Sequence, residues 1–355
     1  MNLQMDRALR IGIVFETFEA YGFDPQGPAD AHVEYEPLST VEVLEEAIRA
    51  LGHRPVRIGS PFDLLNSVSG SAGLAVDAAL NLAEGRGSRN REAWAPVLLE
   101  MLGVPCLGSD ALTLSMTLDK AWANRQAAAA GIRVAPQCVL SGREAALTAA
   151  LPAEFPLFVK PRWEGTAKGI RSSSRVETRA ALATEVERIV EDYQQPALVE
   201  AFISGPEYTV TVVGHDPPRS LPVVQRALDP LTRIGWHAIE TSVGDGDEGR
   251  AVPCTPGSLT SDLEANLSSL GLAAFELFEC LDFARADFRL GGEGDPVFLE
   301  INPLPTFGVE STFAVIAELE GRPLHALLAE ILEEGLRRLA KSPKALGDGL
   351  RRRPS

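Results

Sequence analysis

The chain has 355 residues, and its 33 lysines and arginines stand against 49 acidic residues, a formal net charge of −16. An acidic protein of this kind is not a general binder of nucleic acid or acidic membranes, which needs a basic face to displace counterions. With 45% hydrophobic and 23% charged residues it is a folded chain and not a disordered one, long enough for two or three domains.

RIGIVF at Arg10–Phe15 reads as a buried strand, followed by a polar loop containing Gly and Pro that runs to Pro37. Ser39 or Thr40 can cap a helix, VEVLEEAIRALG, whose apolar positions 41, 44, 48 and 51 recur at helical spacing, with Gly52 as its stop. PVRIGS, Leu74–Leu82 and VPCLGS are further strands, with a helix near Glu92–Leu102. This alternation predicts an open α/β domain on a parallel sheet, over residues 1–115. A helix over Leu114–Ala130 leads into a second region, 116–215. There FPLFVKP, a Gly-containing loop, a helix over Val176–Tyr193, ALVEAFI and EYTVTVVG read as a small α+β lobe on an antiparallel sheet. The last lobe, 216–345, holds PVVQRAL, a polar loop over Asp229–Gly257, a helix near Leu259–Leu281, and two strands, ARADFRL and PVFLEIN, joined by a GGEGDP hairpin turn. The helix PLHALLAEILEEGLRRL then precedes a basic tail, 346–355. Seven cations and one Asp fall after residue 334, so the first 334 residues carry −22.

No run of 18 apolar residues occurs, so no membrane span is expected. The opening stretch is too short for a signal peptide, and Glu16 interrupts it. Cys106, Cys138, Cys254 and Cys280 form no CxxC pair, and the five histidines are scattered, which predicts buried thiols, no zinc site and a cytoplasmic protein.

Four segments carry chemistry. If ARADFRL and PVFLEIN pair antiparallel, Arg285 and Asp287 share a face, as do Glu300 and Asn302. Two carboxylates and an amide make an oxygen donor set for Mg²⁺ or Mn²⁺; a surface salt bridge between edge strands is the plainer reading. Lys160 ends an apolar strand before Glu164-Gly165-Thr166-Ala-Lys168-Gly169, where an ammonium and backbone N–H groups could surround phosphate, or where the chain simply turns. Glu200 and Glu207 flank a strand and an SGP turn, either a nucleotide hinge or only a turn. Asp119-Lys120 opens an Ala-rich helix and by itself reads as a solvated face.

In their order and spacing these four segments resemble the ATP-grasp superfamily, and within it the D-alanine–D-alanine ligase family. The resemblance rests on residues 81–120, 155–170, 198–210 and 284–312. It implies an ATP-grasp fold, α/β and α+β, with an N-terminal open α/β (pre-ATP-grasp) domain and two lobes clasping ATP. It also implies ATP as substrate and two Mg²⁺ or Mn²⁺ ions. Lys120 and Lys160 would hold the phosphates, with the loop containing Glu164, Gly165 and Thr166 closing over them. Glu200 and the backbone of Phe202 and Ile203 would meet adenine, Phe158 would line its pocket, and Glu207 would take the ribose. Asp287, Glu300 and Asn302 would bind the ions. Arg285 would stabilise the charge that builds up as an acyl phosphate is attacked, and Ser311 stands where the family contacts the acceptor's carboxylate. A homodimer is also implied.

The substrate side departs from the family pattern. Its Gly-rich first loop is replaced by residues 16–40, in which Glu36 stands at the distance of the carboxylate for the donor amine. Its His-Gly element is Glu84-Gly85, followed by Arg86, Arg89 and Arg91, either an anion site or a solvated loop. Pro305-Thr306-Phe307 replaces Pro-Gly-Met, and the 229–257 loop has no lysine, leaving Trp236 and His237 to cover the site or to pack. These differences suggest an ATP-dependent ligase of a small carboxylate or amino acid with an amine, D-alanine being one candidate substrate and the amino acids of a secondary-metabolite or peptide pathway another. An ATP-grasp phosphotransferase and a non-catalytic nucleotide binder are the readings from other classes. A dehydrogenase is disfavoured, because Gly85-Arg-Gly87-Ser-Arg-Asn90 lacks the third glycine of GxGxxG.

Overall fold

The computed structural model describes residues 7–21, 27–69, 74–229, 231–234 and 259–341; Cys254, Trp236, His237, most of the 229–257 loop and the basic tail lie outside them. Strands β1 (Arg10–Val14), β2 (Arg54–Gly59), β3 (Ala78–Asn81) and β4 (Cys106–Leu107) form a parallel sheet in the order β2-β1-β3-β4. Period-two alternation divides its side chains between two cores. Ile11, Ile13 and Leu80 pack with Val41, Leu44 and Ile48 of the helix Leu38–Ala50, whereas Val14 and Ala79 pack with Leu64, Ala95 and Leu99 on the other face. The helix Leu38–Ala50 starts after Pro37 without a side-chain cap. Thr40 Oγ1 instead donates to Glu36 Oε2 at 2.8 Å, so neither Ser39 nor Thr40 caps it. Gly52, at φ +77°, ends it as expected.

The C-terminal helix Leu324–Lys341 belongs to this first core. Its Leu328, Ile331, Leu332 and Leu336 pack with Ile11 and Ile48, and Arg338 holds Asp282 at the start of the third sheet at 2.6 Å. Position in the chain had assigned this helix to the last lobe; its apolar stripe is buried against the first.

Strands β5 (Gln137–Leu140), β6 (Leu157–Pro161), β7 (Arg175–Val176) and β8 (Ala197–Ala201) make an antiparallel sheet, β5-β8-β6-β7, backed by the helix Arg179–Tyr193. The third sheet joins β9 (Glu207–Gly214), β10 (Arg219–Ser220), β11 (Val224–Arg226), β12 (Asp282–Leu290) and β13 (Pro296–Asn302). Its order is β10-β9-β12-β13, with β11 also on β9. EYTVTVVG, which the sequence places in the small lobe, is therefore central to the large sheet. All eight of its residues are buried, as a strand flanked on both edges requires, and the turn before it carries the chain from one sheet to the next.

The helix expected over Leu114–Ala130 is two helices, Ala111–Leu118 and Lys120–Ala129. Asp119 leaves helical geometry at ψ 88°, caps the second helix by accepting from Trp122 N–H at 3.1 Å, and grips Arg162 through both oxygens at 2.7 and 2.6 Å. A side chain with two stronger partners than the helix offers breaks it there, and the break sets Lys120 at a helix start facing the third sheet. Asp119→Ala removes a cap and leaves Arg162 unpaired. It is expected to lower unfolding free energy by about 2–4 kcal/mol in a urea titration, with Arg162→Ala not additive to it.

Candidate active site

A cavity of about 760 Å³ opens between the second and third sheets, beneath the 33–40 segment. It is lined by Glu36, Lys120, Phe158, Lys160, Glu164, Thr166, Glu200, Phe202, Ile203, Glu207, Arg285, Asp287, Glu300, Asn302 and Ser311. These are all the residues to which the family resemblance gave a catalytic, nucleotide or metal role except Gly165, which lines a smaller side cavity. Chain segments nearly 280 residues apart thus meet at one wall.

Antiparallel pairing sets Arg285 opposite Asn302 and Asp287 opposite Glu300, with a register shift directly after Asp287. Asp287 accepts from Arg285 Nη2 at 3.1 Å and from Thr209 Oγ1 at 2.7 Å. Glu300 pairs with Lys120 Nζ at 3.0 Å, and Lys120 also donates to the Glu164 carbonyl at 2.6 Å. Lys160 pairs with Glu200 at 2.9 Å. Burial opposes ionisation of Glu300, but Lys120, Lys160 and Arg285 outweigh it and hold its carboxyl at about 2. Burial likewise opposes charge on Lys160, and Glu200 and Glu300 raise it. This end of the cavity therefore holds three cations matched by three carboxylates.

The donor set Asp287, Glu300 and Asn302 is all oxygen on one face of a hairpin, which suits a hard divalent ion. Among the described residues no three of His, Cys, Asp and Glu gather as a metal site. An ion here would thus draw on two carboxylates and the Asn302 amide, and fill its shell with water and phosphate oxygens.

At the other end the rings of Phe158 and Phe202 lie 6.0 Å apart. Arg289, which follows Asp287 at period two and which the sequence reading missed, bonds Glu207 at 2.9 Å and the Ile203 carbonyl at 2.8 Å. Glu36 accepts from Thr40 through Oε2, while its Oε1 is buried with no hydrogen-bond partner among the described residues, and burial raises its carboxyl against the lowering effect of the Thr40 hydroxyl and the Phe307 backbone. An added Cβ at Gly308 would fall 2.6 Å from Thr40 Oγ1 and 3.3 Å from Glu36 Oε2, so glycine is what lets the 305–312 loop close on that carboxylate. Ser311 caps the helix Thr312–Leu319, its Oγ accepting from Ala314 N–H at 3.3 Å, with the hydroxyl proton left to donate.

The sequence also gave no sign of what holds the Gly loop. Glu34 accepts from Gly165 N–H at 2.6 Å and pairs with Arg91 at 2.5 Å and Lys168 at 3.0 Å. Asp30 accepts from Gly169 N–H and from the Tyr193 hydroxyl, both at 2.7 Å. The amide expected to face phosphate at Gly165 is thus engaged by a carboxylate 131 residues earlier. Arg91 is buried in this network while Arg86 and Arg89 are exposed, so the three arginines do not form one anion site.

A family model described as the D-Ala–D-Ala ligase C-terminus matches residues 128–333, more than half of the chain. The chain belongs to the D-alanine–D-alanine ligase family. It is 33% identical over 261 residues to an uncharacterized protein, y4sG, of Sinorhizobium fredii, covering 73% of this chain and 74% of that one. To the D-alanine–D-alanine ligase of Alcanivorax borkumensis it is 30% identical over 262 residues, covering 74% and 78%. Among solved structures, the VanG D-Ala:D-Ser ligase of Enterococcus faecalis superposes with a TM-score of 0.69 at 19% identity, covering 93% of this chain and all of that one. The D-alanine–D-alanine ligase of Bacillus anthracis complexed with ATP gives 0.67 at 20% identity, covering 94% and 99%. The fold of this family member is accordingly ATP-grasp, and the segments that suggested it from sequence lie in or beside the matched region.

Proposed function

We propose that this D-alanine–D-alanine ligase family member joins a carboxylate to an amine at the expense of ATP, through an acyl phosphate. The observation that carries this reading is the convergence on one cavity of two buried lysines, an Asp–Glu pair on facing strands, and a carboxylate, Glu36, one of whose buried oxygens has no hydrogen-bond partner among the described residues. In this reading residues 1–115 form the N-terminal domain and the other two sheets form the lobes that clasp ATP. No helix among the described residues is long and apolar enough to cross a membrane. We place the reaction in the cytoplasm, where ATP is supplied.

The base would lie between Phe158 and Phe202, with Glu200 and the Phe202 and Ile203 backbone at its edge and Glu207 at the ribose; Lys120 and Lys160 would receive the phosphates. Because the cations already match the carboxylates there, a triphosphate adds negative charge that the protein alone does not balance. Mg²⁺ or Mn²⁺ held by Asp287, Glu300 and Asn302 would supply that balance. A carboxylate oxygen of the donor attacks the γ-phosphorus, and the bond to the β-phosphate oxygen breaks, giving acyl phosphate and ADP. The amine of the second substrate attacks the carbonyl carbon, phosphate leaves, and the nitrogen loses its proton. Arg285 stabilises the charge on the carbonyl and phosphate oxygens. Glu36 would hold the donor ammonium, Ser311 would face the acceptor, and the loop 162–170 keeps water from the acyl phosphate.

The substrates are small amino acids, with D-alanine the first to test, since several relatives are named for it. A phosphate-release screen over pairs of D- and L-amino acids, with mass spectrometry of products, is expected to find Mg²⁺-dependent ADP and phosphate in step with one amide product. ADP formed with a single organic substrate and no free phosphate would show a phosphotransferase instead. No stimulation by any pair would overturn the ligase reading.

A further inference from the structure

One cation in the cavity has no part in the scheme above. Arg226 ends β11, which pairs antiparallel with β9 so that Arg226 stands opposite Glu207 in register, and its side chain lines the cavity. Its Nε donates to Thr209 Oγ1 at 3.1 Å and its Nη2 to Thr312 Oγ1 at 2.8 Å. Both partners are neutral hydroxyls, and its Nη1 has no partner among the described residues.

The neighbouring inward arginines differ. Arg91 has Glu34 at 2.5 Å, Arg162 has Asp119 at 2.6 Å, Arg285 has Asp287 at 3.1 Å and Arg289 has Glu207 at 2.9 Å. Glu207 and Asp287 act on Arg226 only from beyond ion-pair distance, because each is already engaged by another arginine. Burial and the adjacent Arg285 push its guanidinium below the usual arginine range, the mark of a cation with no anion against it. A buried guanidinium in that state is costly unless a ligand supplies the anion. Thr312, which it touches, is the first residue of the helix capped by Ser311, so the end of the cavity where Arg226 lies also presents that helix's N-terminal turn.

We propose that Arg226 receives the carboxylate of the amine-bearing substrate, so that the enzyme selects free amino acids as acceptors over their amides or over simple amines. The proposal rests on the ligase reading. A guanidinium presents a planar fork that matches a carboxylate, and an amide in the same place sets its NH₂ against the arginine's donors. Arg226 is thus a specificity-determining residue; Lys120, Lys160 and Arg285 serve the phosphates and the reacting carbonyl.

The test uses the full chain as wild type, Arg226→Met and Arg226→Lys, with D- and L-alanine, serine and aspartate and their carboxamides as acceptors. Wild type is expected to favour free acids over amides in kcat/KM by roughly 100-fold. In Arg226→Met the acceptor KM rises by roughly 30- to 100-fold and the preference collapses to a few-fold, while the KM for ATP moves less than about twofold; Arg226→Lys recovers part of the preference. Undiminished discrimination in Arg226→Met overturns the proposal, as does a parallel rise in the KM for ATP. Should wild type form no product with any pair, the ligase reading fails separately, and calorimetric titration of the same acids and amides decides the role of Arg226. Binding that requires the carboxylate in wild type and not in Arg226→Met supports the proposal; equal binding of acid and amide by wild type refutes it.

Discussion

Glu300→Gln is expected to reduce Mg²⁺-dependent ADP formation by about 10³-fold while leaving the protein folded. Glutamine keeps the side chain's volume and one oxygen able to accept from Lys120, which lies 3.0 Å from the carboxylate. What it removes is the negative charge directly across the hairpin from Asp287, and with it half of the carboxylates available to a divalent ion. It also leaves Lys120 and Lys160 facing one anion fewer, so metal-free nucleotide should bind no worse. The measurement is a coupled ADP assay over a Mg²⁺ titration, beside nucleotide binding with and without the metal. Activity within tenfold of wild type would remove Glu300 from the proposed site.

The second large effect falls on a residue with no proposed contact to substrate. Glu34→Ala strips the shared carboxylate from Arg91 and Lys168 and the acceptor from Gly165 N–H. Arg91 and Glu34 side chains are each only 3% exposed, so the guanidinium, left with Glu164 at 3.6 Å and the Trp163 carbonyl at 2.7 Å, cannot turn to water. The expected cost is about 3–5 kcal/mol of unfolding free energy. A pH signature accompanies it. Burial opposes the charge on Glu34, but Arg91 and Lys168 hold its carboxyl at about 2, against an ordinary 4.5. A depressed carboxyl contributes stability that is full above its unfolded value and lost as pH falls through the folded one. Wild type should therefore lose stability between about pH 4.5 and 2, and Glu34→Ala should show a shallower slope there. A catalytic signature should appear as well. With the 162–170 loop unanchored, water reaches the acyl phosphate, and phosphate released per amide formed rises above one. A variant that unfolds less readily than expected and remains fully coupled would show that the loop is held by other contacts.

Reading the chain alone recovered the longer strands and the faces shared by Arg285 with Asp287 and by Glu300 with Asn302, because both follow from the two-residue repeat of extended backbone. It missed the short strands β5, β7 and β10, and Arg175–Val176 is a strand where a helix from Val176 was expected, that helix starting at Arg179. Arg289 was within reach of the same rule, one step beyond Asp287. The Asp119 break was not, since a strong helical pattern runs through it and the side chain that breaks it answers to Arg162, 43 residues later. Membership of β9 in the large sheet also escaped, because eight apolar-rich residues read alike in either lobe; only pairing with β12 decides.

Lysine usage follows the same division. Of five lysines, three precede residue 335, at 120, 160 and 168, and the structure sets all three on the wall of one cavity. The sequence by itself determined which residue types occupy which strand faces, because backbone periodicity is a property of a few neighbouring residues. Only the tertiary structure decided that Lys120 meets Glu300, Lys160 meets Glu200 and Lys168 meets Glu34, while Arg226 meets no carboxylate among the described residues. Charge pairing depends on distance through space, and chain closure brings residues together over separations that no local pattern records.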